Sequence, residues 1–317
     1  MTLGMKPPLI VIGGPTASGK SGLAIELAAA VGGVVINADS MQVYRDLAIM
    51  TARPRPADMA RAPHRLYGVL DAADVCSAAR WAELARGEIA AAGAADRLPI
   101  VVGGTGLYLK TLLGGIAAVP EIPQALRQAA RDRHAAVGGP AFHAELAGLD
   151  PAAAARLAPG DSQRLIRAYE VVTSTGRPLH AWQADGNESG PEYHTARIIL
   201  APPRDTLYAA CDHRFEAMLA DGALDEVRAL DARGLDPDLP LMKAVGVPEL
   251  RRHLAGELDL PAAMALAQQA TRRYAKRQGT WFRHQIQSPE VLITQLSETM
   301  TGEICSFLHE MGLTKRN

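Results

Sequence analysis

"LIVIGGPTASGKSGLAIELAAAVGG", residues 9–33, decides the fold. Leu9 to Ile12 form an apolar run that reads as a buried strand. From Ser21 onward, apolar residues recur at helical spacing and the pattern stops at Gly32-Gly33. Between the two, Gly14, four residues and then Gly19-Lys20-Ser21 fit the pattern G-x-x-x-x-G-K-[ST]. Its glycines let backbone N–H groups close on phosphate oxygens, the lysine neutralises them, and the serine hydroxyl reaches Mg²⁺. The helix N-terminus adds its own attraction for an anion. Gly14, Pro15, Thr16, Ala17, Ser18, Gly19, Lys20 and Ser21 are the expected phosphate contacts, with Ser21 facing the metal and Mg²⁺ the expected cofactor. The loop leaves open what the phosphate is attached to.

Working outward, "GVVINAD" (33–39), "RLYGVL" (65–70), "LPIVVGG" (98–104) and "ARIILAPP" (196–203) read as further strands, separated by helical stretches such as "SAARWAELARGEIAAAG". That alternation predicts an α/β protein: a P-loop NTPase-like core with a mainly parallel sheet. The strand runs are apolar without alternation, as expected when both faces of a sheet are covered. Ligands of such sheets collect at the carboxyl ends of the strands, which directs attention to Gly14–Ser21, Asp39–Gln42 and Gly103–Tyr108.

Residues 120–192 read differently. No strand run appears, and Ala, Arg and Leu recur in segments broken by "VGGP", "GLDP" and "APGD". A helical insertion domain over 120–192 is expected, dividing a core of residues 1–119 and 193–317, with "GNESGP" (186–191) a flexible return loop. After residue 204 the chain reads mostly helical, and about the last ten residues are expected to fray.

The length, 317 residues, allows a large core and excludes one small module. Cys76, Cys211 and Cys305 lie too far apart for a zinc spacing or a secreted disulfide framework. No apolar run suits a signal sequence or a membrane span, so a cytoplasmic protein without membrane association is expected. The net charge of −1 conceals one patch: "TRRYAKRQGTWFRHQ" (271–285) carries Arg272, Arg273, Lys276, Arg277 and Arg283 among Tyr274, Trp281 and Phe282, with no acid. Basic residues among aromatics suit nucleic acid, and equally a solvated helix face.

"NADSMQVYR" puts Asp39 just after a strand, at the same sheet edge as the phosphate loop. Three roles fit its position: holding Mg²⁺, accepting a proton from an acceptor nucleophile, or capping a helix. "VVGGTGLYL" is a second glycine-rich turn at a strand end, and it offers the Thr105 hydroxyl to the same anion. Two such turns suit a diphosphate, and a hydroxyl at its bridging oxygen would stabilise the leaving group.

The succession "GPTASGKS", "NADSMQVYR", "TARP", "LPIVVGGTGLYLK", "DSQRLIRAYEV", "TGRPL" and "RRYAKRQGTWFR", from residue 13 to 283, resembles the bacterial tRNA dimethylallyltransferase family, also called tRNA isopentenyltransferases. The resemblance implies transfer of a dimethylallyl group from dimethylallyl diphosphate to N6 of the adenosine 3′ of the anticodon in tRNA, with release of pyrophosphate. It implies that Lys20, Mg²⁺ and Arg214 stabilise the diphosphate, that Thr105 contacts its bridging oxygen, and that Asp39 takes a proton from the adenine amine. It assigns Asp39, Ser40, Met41, Gln42, Thr105, Gln163, Arg164, Leu165, Ile166 and Arg167 to tRNA. The basic stretch adds Arg272, Arg273 and Lys276. The insertion then has the task of clamping the anticodon stem-loop, with Arg127, Arg131 and His134 on one helical face at i, i+4 and i+7. A monomer is expected.

The chain departs from the family pattern at Gly246-Val247-Pro248, where an aromatic and a basic residue are expected, at Arg53 in place of lysine and at Cys76 in place of tyrosine. Two competing functions share these residues: a P-loop kinase of a small metabolite, and a nucleotide-driven RNA-binding switch.

Overall fold

The computed structural model describes residues 6–185, 187–188, 192–286, 289–297 and 299–314, without the side chains of residues 187 and 188. The chain divides into two compact units, residues 1–113 with 191–317 and residues 114–190. Most of "GNESGP" lies outside the described residues.

The first unit begins β1 (Pro8–Gly13), α1 (Lys20–Val31), β2 (Val34–Asn37), α2 (Pro56–Arg61), β3 (His64–Arg65), α3 (Ala78–Ala94), β4 (Pro99–Gly103), α4 (Gly106–Gly114). The second unit holds β5 (Ile116–Ala117), α5 (Gln124–Leu149), α6 (Pro151–Ala154), α7 (Ser162–Thr175), α8 (Leu179–Ala184) and β6 (Asn187–Glu188). The first unit resumes with β7 (His194–Leu200), α9 (Arg204–Ala220), α10 (Ala223–Asp231), α11 (Val247–Leu254), α12 (Leu260–Gln285), β8 (Val291–Ile293) and α13 (Met300–Glu310).

The six-stranded sheet has the order β3-β2-β4-β1-β7-β8, and every pair in it is parallel. Successive residues of a strand point to opposite faces, so each strand feeds two cores. Leu9 and Val11 join Ile36, Val101 and Trp81 on the face covered by α3 and by α9 to α12. Ile10 and Ile12 join Ile100, Val102, Leu27 and Leu308 on the face covered by α1 and α13. Burying each such aliphatic side chain contributes ~1.5–3 kcal/mol, which explains the unbroken apolar runs.

Three expectations need correction. Of "RLYGVL" only Arg65 lies in a strand, the two-residue β3, because Leu66 (φ 63°) and Gly68 (φ 62°) adopt the left-handed conformation and turn the chain away. Strand β8 was not expected at all: three residues are too few to show a period, yet they extend the sheet through Ile199 opposite Leu292. Of the last ten residues, 308–314 are held by the end of α13, whose Leu308 is fully buried, and by the buried Leu313, while 315–317 lie outside the described residues.

In the second unit α5 breaks at Gly138 (φ 77°, ψ 164°) within "VGGP". The break has a check. Residues 12 apart on a straight helix lie ~18 Å apart, whereas Arg133 Nε donates to Glu145 Oε1 at 3.1 Å and His134 sits 5.1 Å from the Phe142 ring. The two halves of α5 therefore fold back on one another. Phe142, Leu146, Leu165, Ala168 and Val172 form this unit's core. The unit runs 114–190 rather than 120–192 and includes the antiparallel pair β5–β6, too short to read from sequence.

At the carboxyl ends of the strands, the backbone comes into contact with itself. A Cβ added at Gly103 would lie 2.1 Å from the Ala38 carbonyl oxygen, and one at Gly104 would lie 3.2 Å from that of Gly14. Gly103→Ala is expected to lower stability by about 3 kcal/mol, since backbone atoms cannot turn aside. Gly87→Ala, at an exposed helical position with nothing within 4 Å, is expected to raise it by ~0.5–1 kcal/mol. Urea unfolding of both variants checks the pair.

Candidate active site

Gly19 ends the phosphate loop at φ 88°, a conformation suited to glycine, and α1 starts at Lys20. Ala17 is also left-handed (φ 62°), at a cost of ~1–2 kcal/mol for an L residue. The N–H groups of Lys20 and Ser21, in the first helical turn, donate to no acceptor among the described residues. Such orphan donors at a helix start are what an anion satisfies. Lys20 Nζ folds back to donate to Pro15 O at 3.1 Å. Burial lowers the Lys20 pKa to about 8, with the Asp39 charge pulling it up and the Arg214 charge pushing it down. Arg214, on α9, donates to the Thr16 hydroxyl, and burial lowers its pKa too. Two desolvated cations beside free N–H groups make a site that favours a polyanion.

Asp39 faces these cations from the end of β2. Asn37 holds the turn: its Oδ1 accepts from Asp39 N at 2.9 Å, and its Nδ2 donates to Asp39 O and to Leu66 O, each at 3.0 Å. Asp39 Oδ1 accepts from Met41 N at 2.9 Å, so the capping role exists, in a turn rather than a helix. Thr105 Oγ1 accepts from Ser40 N at 2.9 Å and donates to Ser40 Oγ at 3.2 Å. Thr16, Asp39, Ser40, Met41, Arg214, Tyr274 and Arg277 line a cleft of about 250 Å³ together with Thr51, Lys243 and Thr271, and Met50, Cys211, Phe215, Met218, Ala244 and Val245 give it an apolar stretch of wall. A polar mouth and an apolar wall suit a ligand with a charged head and a hydrocarbon body.

The sequence reading missed the residues that hold this arrangement. Gln278 Oε1 accepts from Thr16 N at 2.8 Å, and its Nε2 donates to Gly104 O at 2.9 Å, so one amide joins both glycine turns. Its signal was available: Ala267, Thr271, Ala275 and Gln278 follow helical spacing and form the buried face of α12. Glu226, from α10, accepts backbone N–H bonds from Ala48, Ile49 and Met50 at 2.6–3.0 Å and so fixes the Met50 wall. No local pattern marks that role.

The expected RNA contacts divide between the two units. Leu165 is fully buried in the second unit's core and Ile166 packs against it, because both lie on the apolar stripe of α7. These two side chains are structural. Gln163 and Arg164 are exposed, Arg164 lies 3.5 Å from Asp161, and Arg167 lies 3.4 Å from Glu170. Arg127, Arg131 and His134 are half-buried on α5, and among the described residues Nε of each arginine and Nε2 of the histidine have no hydrogen-bond partner. Gln42 Nε2 donates to Thr51 O (2.7 Å) and Ala52 O (3.1 Å), bracing that loop. Arg272 is paired with Asp212, while Arg273 and Lys276 are exposed. Pro248 sits in the first turn of α11, where a missing N–H costs nothing, Val247 is buried, and Arg53 Nη1 donates to Tyr44 O at 3.2 Å. Cys76 N donates to the Tyr44 hydroxyl at 3.2 Å.

A parallel sheet that brings a phosphate loop and a second glycine turn to one edge places the chain among the P-loop α/β proteins. The chain belongs to the IPP transferase family, whose pattern it matches over residues 42–285. It is 58% identical over 280 residues to the tRNA dimethylallyltransferase of Rhodospirillum centenum, covering 88% of this chain and 89% of that one. The corresponding enzyme of Paramagnetospirillum magneticum is 56% identical over 307 residues, covering 97% and 98%. The full-length tRNA isopentenylpyrophosphate transferase of Bacillus halodurans superposes with a TM-score of 0.70 at 33% identity, covering 96% and 97%. A eukaryotic dimethylallyltransferase acting on tRNA superposes with a TM-score of 0.79 at 27% identity, covering 95% and 78%.

The lowered pKa of Lys20 sets a pH dependence. A bound anion raises that pKa again, so binding above about pH 8 requires proton uptake and weakens by up to about tenfold per pH unit. Pyrophosphate titrations at pH 7 and pH 9 are expected to show weaker binding at the higher pH in the wild type. Lys20→Arg, charged at both, is expected to bind about equally at the two.

Proposed function

We propose that this chain is a tRNA dimethylallyltransferase that moves the dimethylallyl group of dimethylallyl diphosphate to N6 of the adenosine 3′ of the anticodon. The observation that carries this reading is that Asp39 and the cation-lined phosphate loop meet at one apolar-walled cleft. A hydrocarbon group needs such a wall; a phosphoryl acceptor does not. The family and the relatives named above support the same substrates.

In the proposed reaction the adenine amine attacks the allylic carbon, the C–O bond to the diphosphate breaks, and pyrophosphate leaves. An exocyclic amine is a weak nucleophile because its lone pair is delocalised into the ring, so a carboxylate that takes its proton has a defined task, and Asp39 performs it. Lys20 and Arg214 stabilise the negative charge gathering on the leaving group, and the Thr105 hydroxyl donates to its bridging oxygen. Met50, Phe215 and Met218 receive the hydrocarbon and keep water from the allylic carbon. Among the described residues no cluster of three His, Cys, Asp or Glu side chains forms a metal cage. The exposed Ser21 beside Lys20 fits Mg²⁺ held mainly by diphosphate oxygens and water, and Mg²⁺ there supplies charge neutralisation. The exposed Arg273, Lys276 and Arg277 of α12 suit tRNA phosphates, and the half-buried Arg127 and Arg131 add positive charge to the helical unit. No helix among the described residues is long and apolar enough to cross a membrane; on this reading the enzyme acts as a monomer in the cytoplasm.

Two measurements test this. Incubation with labelled dimethylallyl diphosphate and tRNA is expected to yield N6-dimethylallyladenosine next to the anticodon; absence of any prenylated nucleoside would reject the function. Asp39→Asn keeps the acceptor for Met41 N–H and is expected to preserve diphosphate and tRNA affinity while slowing single-turnover transfer by roughly 10²- to 10⁴-fold at every Mg²⁺ concentration. Recovery at high Mg²⁺ would make Asp39 a metal ligand, and a near-normal rate would leave it a turn cap.

A further inference from the structure

We propose that Gln278 is a positioning residue for the transfer: its amide sets the spacing between the phosphate loop and the turn that carries Thr105. This rests on the function proposed above and deepens it, because a diphosphate held at one end by the loop must have its bridging oxygen at the Thr105 hydroxyl.

The geometry carries the inference. The Gln278 side chain is buried, with its carbonyl accepting from Thr16 N and its NH₂ donating to Gly104 O. Thr16 also accepts the Arg214 guanidinium through its hydroxyl, and Gly104 directly precedes Thr105. One planar group thereby connects the residue that orients a diphosphate cation with the residue that meets the bridging oxygen. The contact has no slack: a Cβ at Gly104 would lie 2.2 Å from Gln278 Nε2. The same face of α12 seats Trp281 against Gly106 and Phe282 against Gly13. The helix is thus fixed to both turns within one helical turn of the amide. An amide is required at 278, because the Thr16 partner must accept and the Gly104 partner must donate. A carboxylate meets the first need and opposes the second, and a thioether of similar length meets neither.

Displacing a reacting group by about 1 Å can cost about 10²-fold in rate, so the loss belongs in the chemical step. Gln278→Met and Gln278→Glu are expected to lower kcat by roughly 10²-fold, with KM for tRNA and for dimethylallyl diphosphate within about threefold of wild type. The deciding measurement is a double-mutant cycle with Thr105→Ala. If Gln278 acts through Thr105, Gln278→Met costs much less in the Thr105→Ala background than in the wild type. Folding is followed by thermal unfolding of every variant, and Gln278→Glu, which retains one hydrogen bond, serves if Gln278→Met does not fold. Additive losses in the cycle, or a rise in KM with kcat unchanged, would overturn the inference while leaving the function standing. A wild type that transfers no dimethylallyl group would overturn both.

Discussion

Everything at this site depends on backbone lying against backbone at the carboxyl ends of β1, β2 and β4. Gly103 touches Ala38 at a separation no side chain permits, and Gly104 approaches Gly14 closely. That contact brings three turns, carrying Lys20, Asp39 and Thr105, to one edge of a parallel sheet whose register aligns Gly13 with Gly103. Helix α12 then packs against the glycines, with Gln278 on Gly104, Trp281 on Gly106 and Phe282 on Gly13. The geometry of this edge follows from what is missing at these positions as much as from the side chains present.

The electrostatics follow from this crowding. Drawing Lys20 and Arg214 out of water beside one another lowers the proton affinity of both, and Asp39 offsets this only in part. The free protein therefore holds positive charge that a diphosphate relieves, in surroundings where each charge–charge interaction is stronger than in water. Asp39 is suited to the proposed proton transfer because one of its oxygens is fixed by Met41 N–H, which orients the carboxylate toward the cleft mouth.

The fold was legible because its signals are local. Unbroken apolar runs such as Leu9–Ile12 marked strands covered on both faces, and the phosphate loop named its own neighbours. The losses were of two physical kinds. Strand β8 and the β5–β6 pair are too short to carry a period, and β3 was cut short by left-handed backbone at Leu66 that sequence does not announce. At the site, Lys20, Asp39 and Thr105 were legible because each sits in a turn of restricted composition. Gln278 and Glu226 were not, since each acts across more than 170 positions of sequence through bonds to backbone atoms. Leu165 erred in the other direction: it lies within a motif-like string, yet helical spacing turns it into the core.

The central claim is that the phosphate loop holds a leaving group and that no phosphoryl group is transferred. Dimethylallyl diphosphate carrying one label in the hydrocarbon and another in the terminal phosphate, incubated with tRNA and Mg²⁺, follows both halves at once. The expected result is hydrocarbon label in tRNA adenosine and an equal amount of phosphate label in intact pyrophosphate. Phosphate label in the tRNA, or released as inorganic phosphate in step with turnover, would contradict it.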